Sequence, residues 1–436
     1  METQRTVDRR PGVIMVHPGG GQMRSYEAAV GLQQAGLLQW FVTGFYFRPE
    51  SFWGRGARLL LNGGGSKLEG LLRGRFHPEL SPERVLSFPF RDLALQCVSR
   101  AVNWPSLTSR VQVWRNRWFD QWVAKILAAE RPAAVLCYDG CALRAFEQAK
   151  SLGILSVLDQ CTAHIKTGLR LFQEEAERHP EWADSLTTLE MPEWWIEQSC
   201  RELELADAVF IGSDYAKRTL LENGVAEEKT FVIPYGAEIS RFRPQHTQSD
   251  GPFRVLFVGQ VTQRKGVKYL LEAFRQLTLP NAELLLVGGI AGSGKGLEAY
   301  RGLFTHIPSV PYPELHKYFQ LGSIFAMPSL HEGNVLAIQE ALASGLPVIA
   351  TPNCGSIVQD GIEGFIVPIR DVETLKEKIL QLYQNKELRE EMGRQARKRA
   401  EDFTWAAYHQ RVSELFCRLL EVKSKAHGDK HECEKP

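Results

Sequence analysis

Short apolar runs alternate with amphipathic segments along most of the chain. Residues 13–16, 133–138 and 154–158 are rich in Val, Ile, Leu and Ala, which is typical of strands buried on both faces of a parallel sheet. The segment 143–152 has helical composition and stops before Gly153, where a helix-ending glycine is expected. The alternation predicts βαβ units of a doubly wound α/β fold.

The second half of the chain repeats this pattern after a short polar stretch, 245–251, which we interpret as an interdomain linker. Apolar runs at 254–258, 283–287 and 324–327 predict further strands. A last amphipathic helix follows near Trp405 and gives way to a charged tail. A chain of 436 residues with this pattern is expected to form two domains.

One unit, residues 328–351, contains the most informative chemistry. A polar loop with Glu332 follows a predicted strand, and a helix carrying Glu340 comes next. The loop opens at the carboxyl end of a parallel strand, where open α/β sheets bind ligands. The two acids stand about 12 Å apart along the helix axis, and the helix N-terminus between them suits an anion. This arrangement predicts an extended ligand with an anionic middle and hydroxyls at both ends, the shape of a nucleotide-sugar.

The two glutamates, with Ala-x-Ala-x-Gly-x-Pro-Val-Ile-Ala after Glu340, resemble the donor-site signature of retaining glycosyltransferases of family 4. The resemblance implies the GT-B fold, with two Rossmann-like domains facing each other across a cleft. It implies an acceptor-binding domain at residues 1–245, a nucleotide-sugar domain at 246–400 and a helix at 401–422 that crosses back to the first domain. Residues 423–436 are expected to be a disordered tail.

The resemblance also implies roles for individual residues. Glu332 would lie by the donor sugar, Glu340 would bind the ribose, and His164 would face the sugar. The loop backbone would approach the sugar and phosphate at Gly333, Asn334, Val335 and Leu336. This loop departs from the family's usual Gly-Phe-Gly-Leu at Asn334 and Val335.

Cations after the strand 254–258 are candidates for holding the diphosphate. Lys265 matches the lysine of the family, whereas Gln260 stands where an arginine is usual. We expect Arg264 to supply the missing charge. Near the start of the chain, Gly20 and Gly21 follow a predicted strand and resemble the family's glycine-rich loop, which lies across the cleft from the donor phosphates.

The implied reaction moves a hexose from a UDP- or GDP-linked sugar to an acceptor hydroxyl, with no metal and no cofactor. The acceptor would be a sugar or a lipid-linked molecule. A net charge of +1 gives no reason to expect nucleic acid, and eight scattered cysteines fit a reducing compartment, so we expect a cytoplasmic protein. The basic segment 55–75 is a membrane-surface contact, an acceptor-binding lid or a solvated loop with two short helices.

Alternatives remain open at this point. Gly289–Gly296 is nearly a P-loop, but Gly296 stands where Ser or Thr would bind magnesium. A nucleotide-sugar epimerase, a glycoside phosphorylase or a non-catalytic protein of the same fold would share the donor site. Glu174, Glu175 and His179 form a conceivable metal site, although we expect exposed helix charge there.

Overall fold

The computed structural model describes five stretches of the chain. They are residues 12–19, 23–48, 75–88, 105–244 and 251–427. Gly20, Gly21, most of the segment 55–75 and most of the predicted linker lie outside the described residues, so the predictions made on them stay predictions.

The first sheet has seven strands in the order β3-β2-β1-β4-β5-β6-β7. The strands are β1 (Val13–His17), β2 (Leu38–Thr43), β3 (Val85–Ser87), β4 (Ala134–Tyr138), β5 (Leu155–Gln160), β6 (Ala208–Ile211) and β7 (Thr230–Val232). The pairings among β1 to β5 are parallel. The interior strand β1 is buried along its whole length, which explains why its apolar run is continuous.

The second sheet has six strands, and all of its pairings are parallel. The strands are β8 (Phe253–Val258), β9 (Ala282–Val287), β10 (Thr305–Ile307), β11 (Ile324–Met327), β12 (Val348–Ala350) and β13 (Gly364–Ile366). The order is β10-β9-β8-β11-β12-β13, so the strand order reverses between β8 and β11. Ligands bind outside the carboxyl ends of the strands at such a reversal.

Helices connect the strands of both sheets. In the first half they are α1 (Met23–Gln34), α2 (Pro105–Glu130), α3 (Leu143–Leu152), α4 (Ile165–Arg178), α5 (Glu193–Leu205) and α6 (Asp214–Glu222). In the second half they are α7 (Val267–Leu277), α8 (Tyr312–Phe319), α9 (Leu336–Ala343), α10 (Val372–Gln384), α11 (Lys386–Glu401) and α12 (Trp405–His427). The predicted fold class, with two parallel-sheet Rossmann-like domains, is confirmed.

The predicted end of α3 is confirmed, and capping residues also define the ends of other helices. Gly153 ends α3 in the left-handed conformation at φ 69°, and Gly345 does the same after α9 at φ 73°. Ser213 caps α6 through its hydroxyl, which accepts a hydrogen bond from the backbone of Ala216.

Contacts within the chain divide it into two compact units. The first contains residues 1–160, 193–210 and 408–436, and the second contains 161–192 and 211–407. Residues 161–192 thus leave the first unit along the chain and contribute to the second. The domain boundary that we predicted at residue 245 stays a prediction.

The C-terminal helix α12 belongs to the first unit from Tyr408 onwards. Its His409 lies 2.7 Å from the carboxylate of Glu27, and Ser413 donates a hydrogen bond to the carbonyl oxygen of Gly31 in α1. The helix continues to His427, so residues 423–427, which were expected in a disordered tail, are helical. Among the helices of the described residues, none is long and apolar enough to cross a membrane.

Candidate functional site

Three charged side chains meet at the point where the strand order of the second sheet reverses. Glu332 lies in the loop after β11, and its carboxylate oxygens are 2.6 Å from Arg264 Nη1 and 2.9 Å from Lys265 Nζ. Both cations come from the loop after β8, the strand beside β11. We call Arg264, Lys265 and Glu332 the ion cluster.

Local backbone structure explains how both cations reach one carboxylate. Gln263–Lys265 form a single turn of 3-10 helix, which begins at Thr262, whose hydroxyl accepts a hydrogen bond from the backbone of Arg264. Gly266 ends the turn at φ 68°, and a Cβ at this position would lie 2.0 Å from the carbonyl oxygen of Pro328. The turn therefore packs directly against the loop of Glu332, and only glycine fits at the point of contact.

The ion cluster is mostly buried. Only 7% of Glu332 and 9% of Lys265 are exposed. Burial acts to raise the pKa of Glu332, but Arg264 and Lys265 outweigh it and hold that pKa below its usual range. The carboxylate is therefore ionised, and the ion cluster keeps one net positive charge at a ligand-binding edge of the sheet.

The N-terminus of α9 lies next to this charge. Val335 precedes the helix and offers no side-chain cap, so no capping side chain occupies the backbone N–H groups at the start of α9, although that of Ile338 donates to the Val335 carbonyl oxygen at 2.9 Å. The side-chain oxygen of Asn334 accepts instead from Gln339 Nε2 at 2.7 Å, and its amide nitrogen donates to the carbonyl oxygens of Gly212 and Gly355 at 2.8 and 3.1 Å. The predicted residue Leu336 is the first of the helix.

Gly333 is held by close backbone contacts. A Cβ at this position would lie 2.1 Å from the carbonyl oxygen of Cys161, and its own carbonyl oxygen accepts the hydroxyl of Ser213. Gly355 also lies close to the carbonyl oxygen of Gly333, because a Cβ added at Gly355 would be 2.4 Å from that oxygen. The loop that joins Glu332 to α9 thus has a fixed backbone.

Glu340 lies in different surroundings from Glu332. It is 2% exposed, and burial raises its pKa to about 8, with Tyr312 and Arg241 beside it offsetting only part of that effect. At neutral pH the protonated form of this carboxyl group is favoured. The structure does not bring Glu340 into the ion cluster, and its predicted ribose contact stays a prediction.

His164 serves as the N-cap of α4. Its Nδ1 accepts a hydrogen bond from the backbone of Lys166 at 3.2 Å, and its own backbone donates to Thr219. Burial, followed by the charge of Lys166, lowers its pKa to about 4, so the ring is neutral. The contact of His164 with the donor sugar stays a prediction.

The remaining predicted residues are Gln260, Gly20 and Gly21. Gln260 is exposed at the end of β8, and Gly20 and Gly21 lie outside the described residues. Among the described residues, no cluster of His, Cys, Asp or Glu could hold a metal ion. The expectation of exposed charge is wrong for Glu175, which is fully buried.

His331 is a residue that the sequence did not single out for a role. It precedes Glu332, is 5% exposed, and its Nδ1 lies 2.8 Å from the hydroxyl of Tyr215. Burial lowers its pKa to about 4, which makes it a neutral hydrogen-bonding group. The sequence signal that could have indicated a role for His331 was its position directly before the charged loop residue Glu332.

Comparisons with known proteins agree with this geometry. Residues 238–399 match the family model described as "Glycosyl transferases group 1". The sulfoquinovosyl transferase SQD2 of Arabidopsis thaliana is 29% identical over 211 residues, which are 46% of this chain and 40% of that protein. The D-inositol 3-phosphate glycosyltransferase of Paenarthrobacter aurescens is 29% identical over 220 residues, covering 43% of this chain and 54% of that protein. The chain thus matches about half the length of these curated relatives.

Solved structures share the fold over nearly the whole chain. Sucrose-phosphate synthase from Thermosynechococcus elongatus superposes with a TM-score of 0.66 at 17% identity, covering 95% of this chain and all of that one. HepE of Anabaena, solved in complex with UDP, superposes with a TM-score of 0.58 at 14% identity, covering 93% of this chain and 99% of that one. The chain has the GT-B fold of these proteins, and its residues 238–399 match the glycosyltransferase group 1 model.

Proposed function

We propose that this protein is a retaining glycosyltransferase that moves a hexose from a UDP- or GDP-linked sugar to an acceptor hydroxyl. The observation that carries the proposal is the ion cluster, in which Arg264 and Lys265 share the carboxylate of Glu332. It lies at the strand-order reversal, inside the stretch that matches the glycosyltransferase group 1 model. The acceptor is a sugar or a lipid-linked molecule.

The ion cluster suits a diphosphate for electrostatic reasons. Two cations facing one carboxylate leave a net positive charge, and the adjacent N-terminus of α9 adds backbone donors. When the donor binds, its diphosphate replaces Glu332 as the partner of Arg264 and Lys265. The freed carboxylate then accepts a hydrogen bond from a hydroxyl of the donor sugar.

Transfer breaks the bond between the anomeric carbon and the phosphate oxygen, and the electron pair stays on the diphosphate. Arg264, Lys265 and the first turn of α9 stabilise this charge as it develops, which is electrostatic catalysis by preorganised donors. The acceptor oxygen forms its bond on the face that the diphosphate leaves, and the acceptor proton passes to the leaving phosphate oxygen. In this mechanism the cations take the part that a metal ion plays in other transferases.

Arg264 compensates for Gln260, which stands where the family has an arginine. Its guanidinium reaches Glu332 from the residue before Lys265, so the chain retains two cations at the ion cluster. Glu340 binds the ribose at the other end of the donor. Its buried, mainly protonated carboxyl group can both donate and accept a hydrogen bond there.

Packing argues against the P-loop alternative. A Cβ at Gly296 would lie 2.4 Å from the indole ring of Trp182, so the Ser or Thr that binds magnesium in a P-loop does not fit. Trp182 is 3% exposed and belongs to the main hydrophobic core of the second unit. The glycine-rich loop is thus explained by packing.

A thermal-shift panel with UDP, GDP, ADP and ATP, each with magnesium and with EDTA, tests the donor site. A ligand at a hundred times its dissociation constant adds about 2.7 kcal/mol of stability, which is readily measured. We expect stabilisation by UDP or GDP that EDTA does not change. Stabilisation only by ATP with magnesium would contradict the proposal.

Product analysis then separates transfer from other reactions of the same fold. The protein is incubated with UDP-glucose or GDP-mannose, with and without a panel of sugar and lipid-linked acceptors, and the anomeric configuration is read by NMR. A glycoside that keeps the donor's configuration is the expected product. Epimerised nucleotide-sugar without acceptor, or nucleotide binding without turnover on any acceptor, would favour an epimerase or a non-catalytic protein.

A further inference from the structure

Helix α4 contacts the two segments that carry the ion cluster, namely the loop of Glu332 and the turn of Arg264 and Lys265. Gly168, Phe172 and Glu175 are spaced by four and three residues, so they lie on one face of the helix. One end of this face contacts His331, the residue before Glu332, and the other end contacts Gln263, the residue before Arg264. A single rigid element therefore touches the loop of the carboxylate and the turn of the cations.

The contact with His331 is tight. A Cβ at Gly168 would lie 2.9 Å from the imidazole ring, and the ring of Phe172 meets it edge-on at 5.8 Å. These contacts, with the hydroxyl of Tyr215 2.8 Å from Nδ1, fix the orientation of His331 and the start of the Glu332 loop.

The contact at the other end is a buried polar network around Glu175. Its carboxylate is fully buried and accepts hydrogen bonds from Gln263 Nε2 at 2.8 Å and from the hydroxyl of Tyr269 at 2.9 Å. Gln263 is also held at its backbone nitrogen, which donates to Ser185 at 3.0 Å, and at its Oε1, which accepts from the backbone of Lys268 at 3.2 Å. Gln263 is therefore fixed at three points.

Arg370 supplies the charge that Glu175 needs in this buried place. Its guanidinium donates to Glu175 through Nε and pairs with Glu174 at 2.8 Å through Nη1. Arg370 adopts φ 66°, a conformation that residues other than glycine rarely occupy. A strained conformation that persists is held by its surroundings, here the two glutamates of α4.

We propose that Glu175 is a positioning residue for the donor site. It acts through Gln263 and sets the turn from which Arg264 and Lys265 reach Glu332, and later the diphosphate. The inference rests on the proposed function, because it assigns that turn to donor binding. Neighbouring Glu174 shares the helix and the arginine but makes no hydrogen bond to Gln263 in the described contacts, so it serves as a matched control.

The experiment compares Glu175→Gln with Glu174→Gln in the full chain by two measurements. Hydrogen exchange followed by mass spectrometry reports the backbone of residues 262–268 without any ligand, and calorimetry reports the dissociation constants of UDP and GDP. We expect Glu175→Gln to speed exchange in this stretch at least tenfold and to weaken the better-binding nucleotide at least tenfold. Glu174→Gln is expected to change each value by less than threefold.

A swap separates positioning from general destabilisation. Glu175→Gln combined with Gln263→Glu restores a hydrogen bond between the two side chains with donor and acceptor exchanged, so we expect slow exchange and nucleotide affinity to return at least in part. Unchanged exchange in Glu175→Gln would overturn the positioning role, as would fast exchange with unaltered nucleotide affinity. A wild-type chain that binds neither nucleotide would instead contradict the proposed function, while the exchange measurement would still test the role of Glu175 in the turn.

Discussion

The ammonium nitrogen of Lys265 lies 2.9 Å from Oε1 of Glu332, across the strand-order reversal of the second sheet. Because Lys265 and Arg264 share this carboxylate, removing either cation leaves the other paired. The charge that remains for a diphosphate falls from one net positive charge to none. Donor binding and transfer are therefore expected to depend on both cations.

The first prediction concerns Lys265→Ala. Loss of the ammonium group is expected to cut turnover at least tenfold, or about 1.4 kcal/mol of transition-state stabilisation. Steady-state kinetics with the donor identified in the thermal-shift panel would measure the effect. Lys268→Ala removes a cation from the neighbouring helix α7, outside the ion cluster, and is expected to leave turnover within a factor of two. Normal turnover in Lys265→Ala would show that another group stabilises the leaving diphosphate.

A second prediction separates the carboxylate from the cations. Glu332→Gln removes the negative charge that Arg264 and Lys265 share, so the free nucleoside diphosphate is expected to bind as tightly as before or more tightly. Turnover is expected to fall at least tenfold, because the sugar loses its carboxylate partner. Calorimetry with UDP or GDP and kinetics with the nucleotide-sugar give the two values. If Glu332→Gln lost nucleotide affinity and turnover together, the diphosphate would not replace Glu332 as the partner of Arg264 and Lys265.

Much of this site could be predicted from the sequence because it depends on local signals. Lys265 and Glu332 each follow a short apolar strand, and the carboxyl ends of parallel strands meet at one edge of a sheet. Gly153 marked the end of α3 through its own backbone conformation. These features need no knowledge of distant contacts.

The role of Glu175 could not be predicted in the same way. Its burial depends on Gln263 and Arg370, which come from distant parts of the chain. A polar helix with Glu174, Glu175 and His179 has the composition of an exposed surface. The left-handed conformation of Arg370, which completes the network, has no signature in an arginine side chain. Position in the fold, and not composition, decides which of the two adjacent glutamates is buried.

A third prediction follows from the protonation of Glu340. Its pKa is about 8 in the folded chain, against an ordinary value of 4.5, so the folded state holds a proton that the unfolded chain loses between these pH values. Stability from this group is therefore complete below pH 4.5 and is lost as the pH rises through 8. Each unit of difference in pKa corresponds to about 1.4 kcal/mol.

Glu340→Gln, which stays neutral, tests this dependence. The variant is expected to match the wild type in unfolding free energy near pH 4 and to exceed it by at least about 1 kcal/mol at pH 9. Urea unfolding across this range would measure the difference. Glu314→Gln, which removes an exposed acid on the neighbouring helix α8, is the control for loss of a carboxylate. A pH-independent difference for Glu340→Gln would mean that Glu340 is ionised in the folded protein.

The last prediction tests the fixed backbone of the loop between Glu332 and α9. Gly355 has φ 61°, and a Cβ there would lie 2.4 Å from both the carbonyl oxygen of Gly333 and the hydroxyl of Ser213. Gly361 has φ 78° and nothing within 4 Å of a Cβ. Gly361→Ala therefore adds backbone strain alone, about 1 kcal/mol, whereas Gly355→Ala adds the same strain and displaces the loop. We expect Gly355→Ala to lose more unfolding free energy and also at least tenfold in nucleotide affinity, while Gly361→Ala keeps its affinity. Equal nucleotide affinity in the two variants would show that displacement of the loop backbone does not affect nucleotide binding.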